Sequence, residues 1–428
     1  MRIIDVAAEG YEAAASALRR APLGDDARLE ETVHCIIADV RERGDAALLE
    51  MGRRFDCPSL DGLEVTPEEW DSAHDQVEPA LKRAVESAAA NIVAFHEKQR
   101  RTSWMDAHAG RVTGQLIRPL DTVGLYAPGG LAVYPSSVLM CALPARVAGV
   151  PHLVLCSPPG KDGTLHPLVL FAAQVAGIRQ VFKCGGAGAI AAMAFGTQTV
   201  PAVDKIAGPG NAYVTAAKKQ LWGVVDIDML AGASEVCVIA DEGANPAFAA
   251  ADMLTQAEHE ADTAAYLVTP SREVAEKVRA ELDRQMESLP RRDILRRSLR
   301  EHGAIVVTES LGQAFDLANV CAPEHLALMV RDPFAALGAI HNAGAILMGD
   351  YSPQTLGDYY AGPSHTLPTG GTARFSSPLH VDTFLKKSSY IYYTPDALKQ
   401  AAPDIIQFAT AEGFEAHAQA IRARCEES

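Results

Sequence analysis

The chain has 428 residues, 48% hydrophobic and 21% charged, which is enough for about two or three domains with substantial cores. Its formal net charge of −16 argues against nucleic acid and anionic membrane surfaces as partners. No apolar run approaches the roughly 20 residues of a membrane span, and the N-terminus lacks the apolar stretch of a signal peptide. We therefore expect a cytoplasmic protein.

The first part of the chain is predicted to be helical. Apolar residues at helical spacing predict one helix over residues 29–55 and another over 78–100. The character then changes to short apolar runs closed by Pro/Gly turns, which are typical of buried parallel strands. These runs are residues 122–126, 152–156 and 180–184. With helical segments between them, they predict a doubly wound α/β unit.

The same alternation recurs later in the chain. The predicted strands there are residues 236–240, 264–268, 304–307 and 345–348. From about residue 376 the pattern differs, with an aromatic β-like stretch at 390–393 and a helix from about 411. The predicted fold class is therefore α/β, with two doubly wound units and small N- and C-terminal helical segments.

A glycine-rich turn follows the strand predicted at residues 180–184. The segment GAGAIA at 186–191 matches the G-x-G-x-x-A variant of the dinucleotide fingerprint, in which glycine lets the backbone approach a pyrophosphate. Turns at 124–130 and 208–211 have the same character. Asp204 is the nearest acidic residue for a ribose, although it comes somewhat early. These turns support a nucleotide site and ordinary tight turns equally.

Glu324 and His325 place a carboxylate beside an imidazole, the two groups most used to move protons near neutral pH. Cys321 precedes this pair closely, and its thiol could attack an aldehyde; the simpler interpretation is a small core residue. The eight cysteines contain no Cys-x-x-Cys pair, which disfavours a disulfide framework or a thiolate zinc site.

Side chains that suit a metal ion occur in three places. Gln256 and His259 are three residues apart in a predicted helix and would project from one face; a polar helix end is the alternative. Asp358 lies in a glycine-bounded loop, and Glu412 and His417 lie near a C-terminal helix. A set of nitrogen and oxygen ligands without cysteine suits zinc, with manganese or cobalt as alternatives.

Several motifs, spread along nearly the whole chain, resemble those of the histidinol dehydrogenases. They are GLYAPGG (124–130), YPSSVLM (134–140), GPGN (208–211), AGASE (231–235), QAEH (256–259), APEH (322–325), GD (357–358) and EGFEAH (412–417). The resemblance implies a homodimer whose subunits contain two Rossmann-like doubly wound domains. The expected divisions are an N-terminal helical arm (1–20), a first Rossmann-like domain (21–122 plus 236–375), a second on the NAD side (123–235) and a tail that reaches the partner subunit (376–428).

The resemblance also implies a role for each candidate residue. The implied zinc ligands are Gln256, His259, Asp358 and His417, and the implied catalytic pair is Glu324 and His325. The implied substrate contacts are Ser234, Gln256, His259, His325, Asp358, Glu412 and His417, with His365 as a further polar neighbour. The implied NAD contacts are Tyr126, Gly188 and Asn211. The chain departs from the usual family pattern at Gly188, where Gln is common, and at Ala233, where Pro is common.

The implied reaction is the oxidation of L-histidinol to L-histidine through L-histidinal with two NAD, the last steps of histidine biosynthesis. Zinc would fix the substrate imidazole and amine, His325 would take the hydroxyl proton, and Glu324 would help activate water. One alternative is a paralogous zinc and NAD dehydrogenase for another polar alcohol, which Ser234, His365 and Glu412 disfavour. The other is a zinc hydrolase, disfavoured by the glycine-rich turns and the lack of a His-Glu-x-x-His helix.

Overall fold

The computed structural model describes residues 1–20, 26–129 and 133–426. The elements before the first parallel sheet are β1 (Arg2–Asp5), α1 (Val6–Glu9), α2 (Tyr11–Leu18), α3 (Ala27–Arg43), α4 (Asp45–Phe55), α5 (Pro67–Gln76), α6 (Pro79–Glu97), β2 (Trp104–His108) and β3 (Arg111–Pro119). The helix predicted over 78–100 corresponds to α6. The single helix predicted over 29–55 is wrong: Gly44 has a φ of +57° and separates α3 from α4, a conformation that other residues avoid.

The first parallel sheet follows, with helices between its strands. Its elements are β4 (Thr122–Tyr126), α7 (Pro135–Ala148), β5 (His152–Ser157), α8 (Pro167–Ala176), β6 (Gln180–Lys183), α9 (Gly186–Phe195), β7 (Lys205–Ala207), α10 (Ala212–Leu221) and β8 (Asp226–Ile227). Within the described residues the strands form a five-stranded sheet in the order β6-β5-β4-β7-β8. We call it the NAD-side sheet, after the NAD-side domain that the family resemblance implies. Its order is the 3-2-1-4-5 arrangement of a Rossmann-like unit.

The second parallel sheet has the same plan. Its elements are β9 (Glu235–Ala240), α11 (Pro246–Ala257), β10 (Ala264–Thr269), α12 (Arg272–Met286), α13 (Arg292–Glu301), β11 (Ala304–Val307), α14 (Leu311–Cys321), β12 (His325–Met329), α15 (Pro333–Ala336), β13 (Ala345–Met348) and α16 (Gln354–Tyr359). The described strands form a six-stranded sheet in the order β1-β11-β10-β9-β12-β13, with β1 parallel to β11 at the edge. We call it the site-side sheet.

Both sheets are buried on both faces, as the alternation of side chains along their strands requires. On β4, Leu125 packs in the cluster that contains α7 and α8, while Tyr126 packs in the opposite cluster with α9. On β9, Val238 and Ile239 divide between two clusters in the same way. The predicted α/β class and its doubly wound character are therefore confirmed.

The hydrophobic clusters divide the chain differently from the predicted domain boundaries. Those boundaries group residues 21–122 with 236–375, yet Val33 and Ile37 of α3 and Ile92 of α6 pack on the NAD-side sheet. The N-terminal arm, predicted to be helical, supplies β1 to the site-side sheet as well as α1 and α2. Helices α3–α6 have no sheet of their own, so the assignment of their apolar faces depends on long-range packing.

A smaller compact unit comprises residues 100–119 and the chain from Leu385 onward. We call it the C-terminal unit; besides β2 and β3 it contains β14 (Leu385–Tyr393), α17 (Pro395–Ala411) and α18 (Glu415–Glu426). Its strands pair antiparallel in the order β14-β3-β2. The β-like stretch predicted at 390–393 lies within β14. Across the described ranges, no helix is long and apolar enough to cross a membrane.

Candidate active site

The predicted catalytic pair lies where the chain enters β12. Ala322, at the end of α14, has a φ of +49°, a left-handed conformation that is uncommon outside glycine. The chain turns there and delivers Glu324 and His325 to the amino end of β12, beside the start of β9. Ligands of doubly wound sheets usually bind at the carboxyl ends of the strands, so this pair occupies the opposite edge.

Helix α11 brings the first of the predicted metal ligands to the same edge. It starts at Pro246 with Asn245 as its N-cap and runs back toward the amino end of β9. Gln256, in its last turn, is 1% exposed, whereas His259 lies just beyond the helix and is exposed. One turn before Gln256, Asp252 is also buried. Burial raises the pKa of this carboxyl to about 7, with the charge of Asp358 adding to the effect.

Helix α16 completes a closed set of contacts, which we call the polar ring. The amide nitrogen of Gln354 donates to Oε1 of Gln256 and to Oδ2 of Asp358, the latter at 3.4 Å. The amide nitrogen of Gln256 donates to Oε2 of Glu324 at 3.5 Å. His325 lies between the two carboxylates, with Nδ1 3.8 Å from Glu324 and Nε2 3.5 Å from Asp358. Three separate chain segments therefore meet in one buried network.

The charges in the polar ring influence one another strongly. Burial raises the pKa of Glu324. Burial alone would lower the pKa of His325, but the carboxylates of Glu324 and Asp358 outweigh it and raise the pKa overall. Burial alone would raise the pKa of Asp358, yet the contact with His325 lowers it overall. His325 is thus held as a strengthened proton acceptor beside an ionised Asp358.

Glu235, the first residue of β9, holds Glu324 in place. The Glu235 backbone N–H donates to Oε2 of Glu324 at 3.1 Å, and the Glu324 N–H donates to Oε1 of Glu235 at 3.1 Å. The Gly370 N–H also donates to the Glu235 carboxylate, at 2.9 Å. Burial, and next the charge of Glu324, raises the pKa of Glu235 to about 7. Each of these two buried carboxyl groups therefore accepts a hydrogen bond from the backbone N–H of the other residue.

Ser234 and His365 also belong to this region. The Ser234 side chain is close enough to the carboxyl group of Glu324 to oppose the rise of its pKa that burial causes. His365 Nδ1 lies 2.9 Å from the carbonyl oxygen of Asp358, and its Nε2 lies 3.3 Å from the hydroxyl of Ser137 on α7. Burial lowers the pKa of His365, which favours the neutral ring.

Glu412 and His417 belong to the C-terminal unit and are both exposed. Glu412 ends α17, and His417 lies in the first turn of α18. Both border a groove between these helices that is also lined by Ile405, Phe408 and Phe414. The two residues therefore share one surface, as the predicted common role requires.

The glycine-rich turns lie at the carboxyl edge of the NAD-side sheet. The Tyr126 hydroxyl accepts a hydrogen bond of 3.0 Å from the N–H of Gly186, at the start of α9. Burial raises the pKa of Tyr126 to about 12, so its hydroxyl keeps its proton. Gly208 has a φ of +125°, and a Cβ there would lie 2.1 Å from the carbonyl oxygen of Tyr126. Oδ1 of Asn211 caps α10 by accepting from the N–H of Tyr213 at 3.1 Å.

A buried ion pair fixes the Gly208 turn. The Lys218 ammonium donates to the Gly208 carbonyl at 2.6 Å and to Oδ1 of Asp228 at 2.7 Å. The Gly208 N–H donates to Oδ2 of the same aspartate at 2.8 Å. Lys218 and Asp228 were not predicted as functional residues. A lysine among the apolar residues of a helix, as Lys218 is in α10, indicates a buried partner of opposite charge.

Gly188 lies elsewhere in α9. It is buried, and a Cβ at this position would lie 3.0 Å from Cε of Met51 and 3.3 Å from Cδ2 of Leu48. The position therefore faces α4, and glycine offers only its backbone to a ligand. Its role as an NAD contact stays a prediction.

Comparison with known proteins decides the family. A family model described as histidinol dehydrogenase matches residues 19–425. A histidinol dehydrogenase from Heliobacterium mobile is 52% identical over 405 residues, covering 94% of this chain and 95% of the relative. One from Moorella thermoacetica is 55% identical over 392 residues, covering 91% and 92%. The crystal structure of histidinol dehydrogenase from Elizabethkingia anophelis matches with a TM-score of 0.93 at 36% identity, covering 100% of this chain and 98% of that one.

The chain belongs to the histidinol dehydrogenase family. The predicted family and the predicted enzyme class, an oxidoreductase, are confirmed.

The polar ring contains two of the four predicted zinc ligands, Gln256 and Asp358. No group of three His, Cys, Asp or Glu side chains in the described ranges stands in metal-binding geometry. The ring nevertheless offers oxygens of Gln256 and Asp358, and the charge of His259 is close enough to lower the pKa of Asp358. Within the described part of the chain, the buried polar atoms here without a hydrogen-bond partner are Oδ2 of Asp252, Nδ1 of His325 and Oε1 of Gln354. Buried polar atoms are normally paired, so this concentration fits a site for a bound cation or polar ligand.

Two residues of the site, Asp252 and Gln354, were not predicted from the sequence. Asp252 and Gln354 each stand four residues before a predicted ligand, Gln256 and Asp358 respectively. Positions four apart share a helix face, so each lies behind its ligand. A search for polar residues at that spacing from the QAEH and GD motifs is the signal that finds them.

Proposed function

We propose that this protein oxidises L-histidinol to L-histidine through L-histidinal, with one zinc ion per subunit and two NAD per turnover. This places it at the end of histidine biosynthesis. The observation that carries the proposal is the polar ring, which joins a carboxylate–imidazole pair to Gln256 and Asp358 in a buried setting. The names of the relatives support the substrate.

The proposed zinc ligands are Gln256, His259, Asp358 and His417. When bound, zinc would supply Lewis-acid polarisation and a fixed anchor for the imidazole and amine of the substrate. Gln256 and Asp358 are already restrained by hydrogen bonds, so they contribute orientation at little further entropic cost. Ser234 and Glu412 are the proposed additional contacts to the substrate.

His325 is the proposed base of the first oxidation. The imidazole would accept the alcohol O–H proton as the carbinol carbon gives up its hydride to the bound hydride acceptor, which would leave the aldehyde. The carboxylates of Glu324 and Asp358 raise the pKa of His325 and so strengthen it as an acceptor. The same charges then stabilise the imidazolium that forms.

Glu324 is the proposed water-activating group of the second oxidation. Glu324 would accept a proton from the water molecule that adds to the aldehyde carbon, and the hydrated carbon would then give up the second hydride to a second bound acceptor. Burial raises the pKa of Glu324, and a stronger base is what this step requires. The hydrogen bonds with Glu235 keep the carboxylate directed into the site.

The proposed NAD site is the carboxyl edge of the NAD-side sheet, with Tyr126, Asn211 and the backbone at Gly188 as contacts. The close approach of the Gly208 turn to Tyr126 and the N-terminus of α9, whose N-cap Gly185 forms no side-chain cap bond, support a pyrophosphate there. The cofactor supplies the hydride acceptor, and the protein supplies its position.

The proposed partner is a second copy of this chain, and Glu412 and His417 would complete the partner's site. The C-terminal unit exposes many large apolar side chains, which are expected at an interface between subunits. Examples are Met105, Ile391, Tyr392, Phe408 and Phe414. We propose that the dimer is cytoplasmic and binds neither nucleic acid nor membrane, consistent with its net charge of −16.

The direct test is to incubate zinc-loaded protein with NAD and L-histidinol and to measure NADH and histidine together. We expect two NADH for each histidine. NADH formed only from another polar alcohol would indicate the paralogous dehydrogenase instead, and absence of NADH from every alcohol would refute the proposal.

A further inference from the structure

Gln354 is the residue of the polar ring that no motif marks. It is the first residue of α16 and is 1% exposed. Its amide nitrogen donates to Oε1 of Gln256 and to Oδ2 of Asp358. These two oxygens come from different helices, and both belong to proposed zinc ligands.

We infer that Gln354 is a positioning residue that presents the oxygens of Gln256 and Asp358 to the metal. The inference rests on the proposed function. It extends that function, because Gln354 acts only through the two ligands.

Gln354 and Glu324 together fix the direction of the Gln256 amide. A primary amide has a donor end and an acceptor end of nearly equal size. Glu324 accepts a hydrogen bond from the nitrogen end of Gln256, and Gln354 donates to the oxygen end. Together they select one orientation of the amide. Without the donor at 354, only the contact of 3.5 Å to Glu324 restrains it.

Gln354 also helps to fix the orientation of the Asp358 carboxylate. Its Oδ1 lies 3.5 Å from Nε2 of His325, and its Oδ2 accepts from Gln354 at 3.4 Å. Each oxygen has a different neighbour, so the plane of the carboxylate is set from both sides. Gln354 therefore ties the ligand pair to the catalytic pair by closing the ring.

A purely structural role would use the side chain differently. Polar side chains at helix starts usually cap the helix, but the N-cap of α16 is Pro353 and has no side-chain cap bond. The Gln354 nitrogen instead points at the two ligands. A buried amide N–H group needs a hydrogen-bond acceptor, and for Gln354 the acceptors are the oxygens of the two ligands.

The test replaces Gln354 by Met, which has a similar length but no donor. We expect the zinc Kd, measured by competition with a chromophoric chelator, to rise about 10- to 100-fold, the usual effect of removing a group that orients a ligand. The visible absorption spectrum of the cobalt-substituted protein should also change, because the ligand oxygens move. Gln354→Asn, which withdraws the amide from both oxygens, should act in the same direction if the Met variant folds poorly.

The matched control is Gln285→Met. Gln285 also holds α11, by donating to the Ala247 carbonyl at 2.9 Å, but it touches no proposed ligand. Its variant should lose some stability in thermal unfolding of the metal-free protein while the zinc Kd and cobalt spectrum stay as in the wild type. Unchanged zinc affinity and an unchanged cobalt spectrum in a folded Gln354 variant would overturn the inference. A wild-type protein that binds no zinc would instead defeat the proposed function.

Discussion

The two parallel sheets of this chain share a strand order but carry their chemistry at opposite ends. In the NAD-side sheet the glycine turns at Gly186 and Gly208 lie at the carboxyl edge, where a doubly wound sheet normally binds its ligand. In the site-side sheet the polar ring lies at the amino edge, around the start of β12. Topology alone therefore does not decide which edge of a sheet is functional.

The carboxyl edge of the site-side sheet explains part of this difference. Asp241 follows β9 there and accepts hydrogen bonds from the N–H groups of Gly243, at 2.8 Å, and Arg331, at 2.6 Å. An anionic ligand would need such donors, and here a carboxylate of the chain already takes them. Further acidic residues follow β11, β12 and β13, namely Glu309, Asp332 and Asp350. A dinucleotide phosphate at this edge would therefore meet carboxylates and compete with Asp241 for these N–H donors.

Substitution of His325 tests whether catalysis takes place at the amino edge of the site-side sheet, and it should have the strongest effect on activity. His325→Asn should reduce turnover of histidinol by about 10²- to 10⁴-fold, the usual contribution of a positioned proton acceptor. Zinc content should be unchanged, because His325 is the proposed base and not a ligand. His302→Asn, which changes another histidine beside a carboxylate, Asp262 at 3.8 Å, should leave turnover unaffected. Loss of zinc from a folded His325 variant would assign the residue to the metal instead.

A smaller effect separates the two oxidations at this edge. Glu324→Gln should slow oxidation of the aldehyde by about 10²-fold, because only that step activates water. Oxidation of the alcohol should suffer less. The two substrates are assayed separately with NAD in excess. Equal losses on both would mean that Glu324 mainly orients His325.

The Gly208 turn tests whether NAD binds at the carboxyl edge of the NAD-side sheet. Gly208→Ala puts a Cβ 2.1 Å from the Tyr126 carbonyl oxygen, so the turn must move. We expect NAD to bind about 10-fold more weakly, equivalent to about 1.4 kcal/mol. Gly223→Ala is the matched control, because Gly223 also has a positive φ, +103°, but no atom lies within 4 Å of the added group. Equal NAD affinities in wild type and both variants would remove the dinucleotide from this edge.

The comparison also leaves two proposed site residues, Glu412 and His417, on the C-terminal unit. If the sites are shared, inactive His259→Ala and His417→Ala chains should regain activity on mixing, to about a quarter of wild type for random pairing in a closed dimer. Half of the dimers are then mixed, and half of their sites are intact. Subunit exchange is verified with differently tagged chains. Exchange without recovered activity would mean that each tail serves its own subunit.

A substitution at the carboxyl edge of the site-side sheet should have the smallest effect on NAD binding. Asp241→Ala removes an acceptor from two backbone N–H groups and should lower the free energy of unfolding by about 1 kcal/mol. NAD affinity should change by less than about twofold, or about 0.4 kcal/mol. A clear change in NAD affinity, measured by titration of NAD into the wild type and the variant, would contradict the assignment of the cofactor to the other sheet.

Local pattern was sufficient for much of the fold. The central strands of both sheets are continuous apolar runs because both of their faces are buried, and their predicted positions agree with β4, β5, β9 and β10. The short strands β7 and β8 are absent from the prediction, since two or three residues carry no period. The five-residue strand β12, between β9 and β13, is also absent from the prediction. Gly44 splits one predicted helix because a single φ angle overrides a continuous apolar pattern.

The α/β class, the family and the residue types of the site could be predicted from apolar runs and short motifs. The packing of α3–α6 on the NAD-side sheet, and the positions of Asp252 and Gln354 behind the predicted ligands, could be found only in the folded chain. An apolar periodicity states that a face is buried but not what it is buried against. Likewise, a lone Gln or Asp has no function in the sequence until distant segments bring it within hydrogen-bonding distance of a partner.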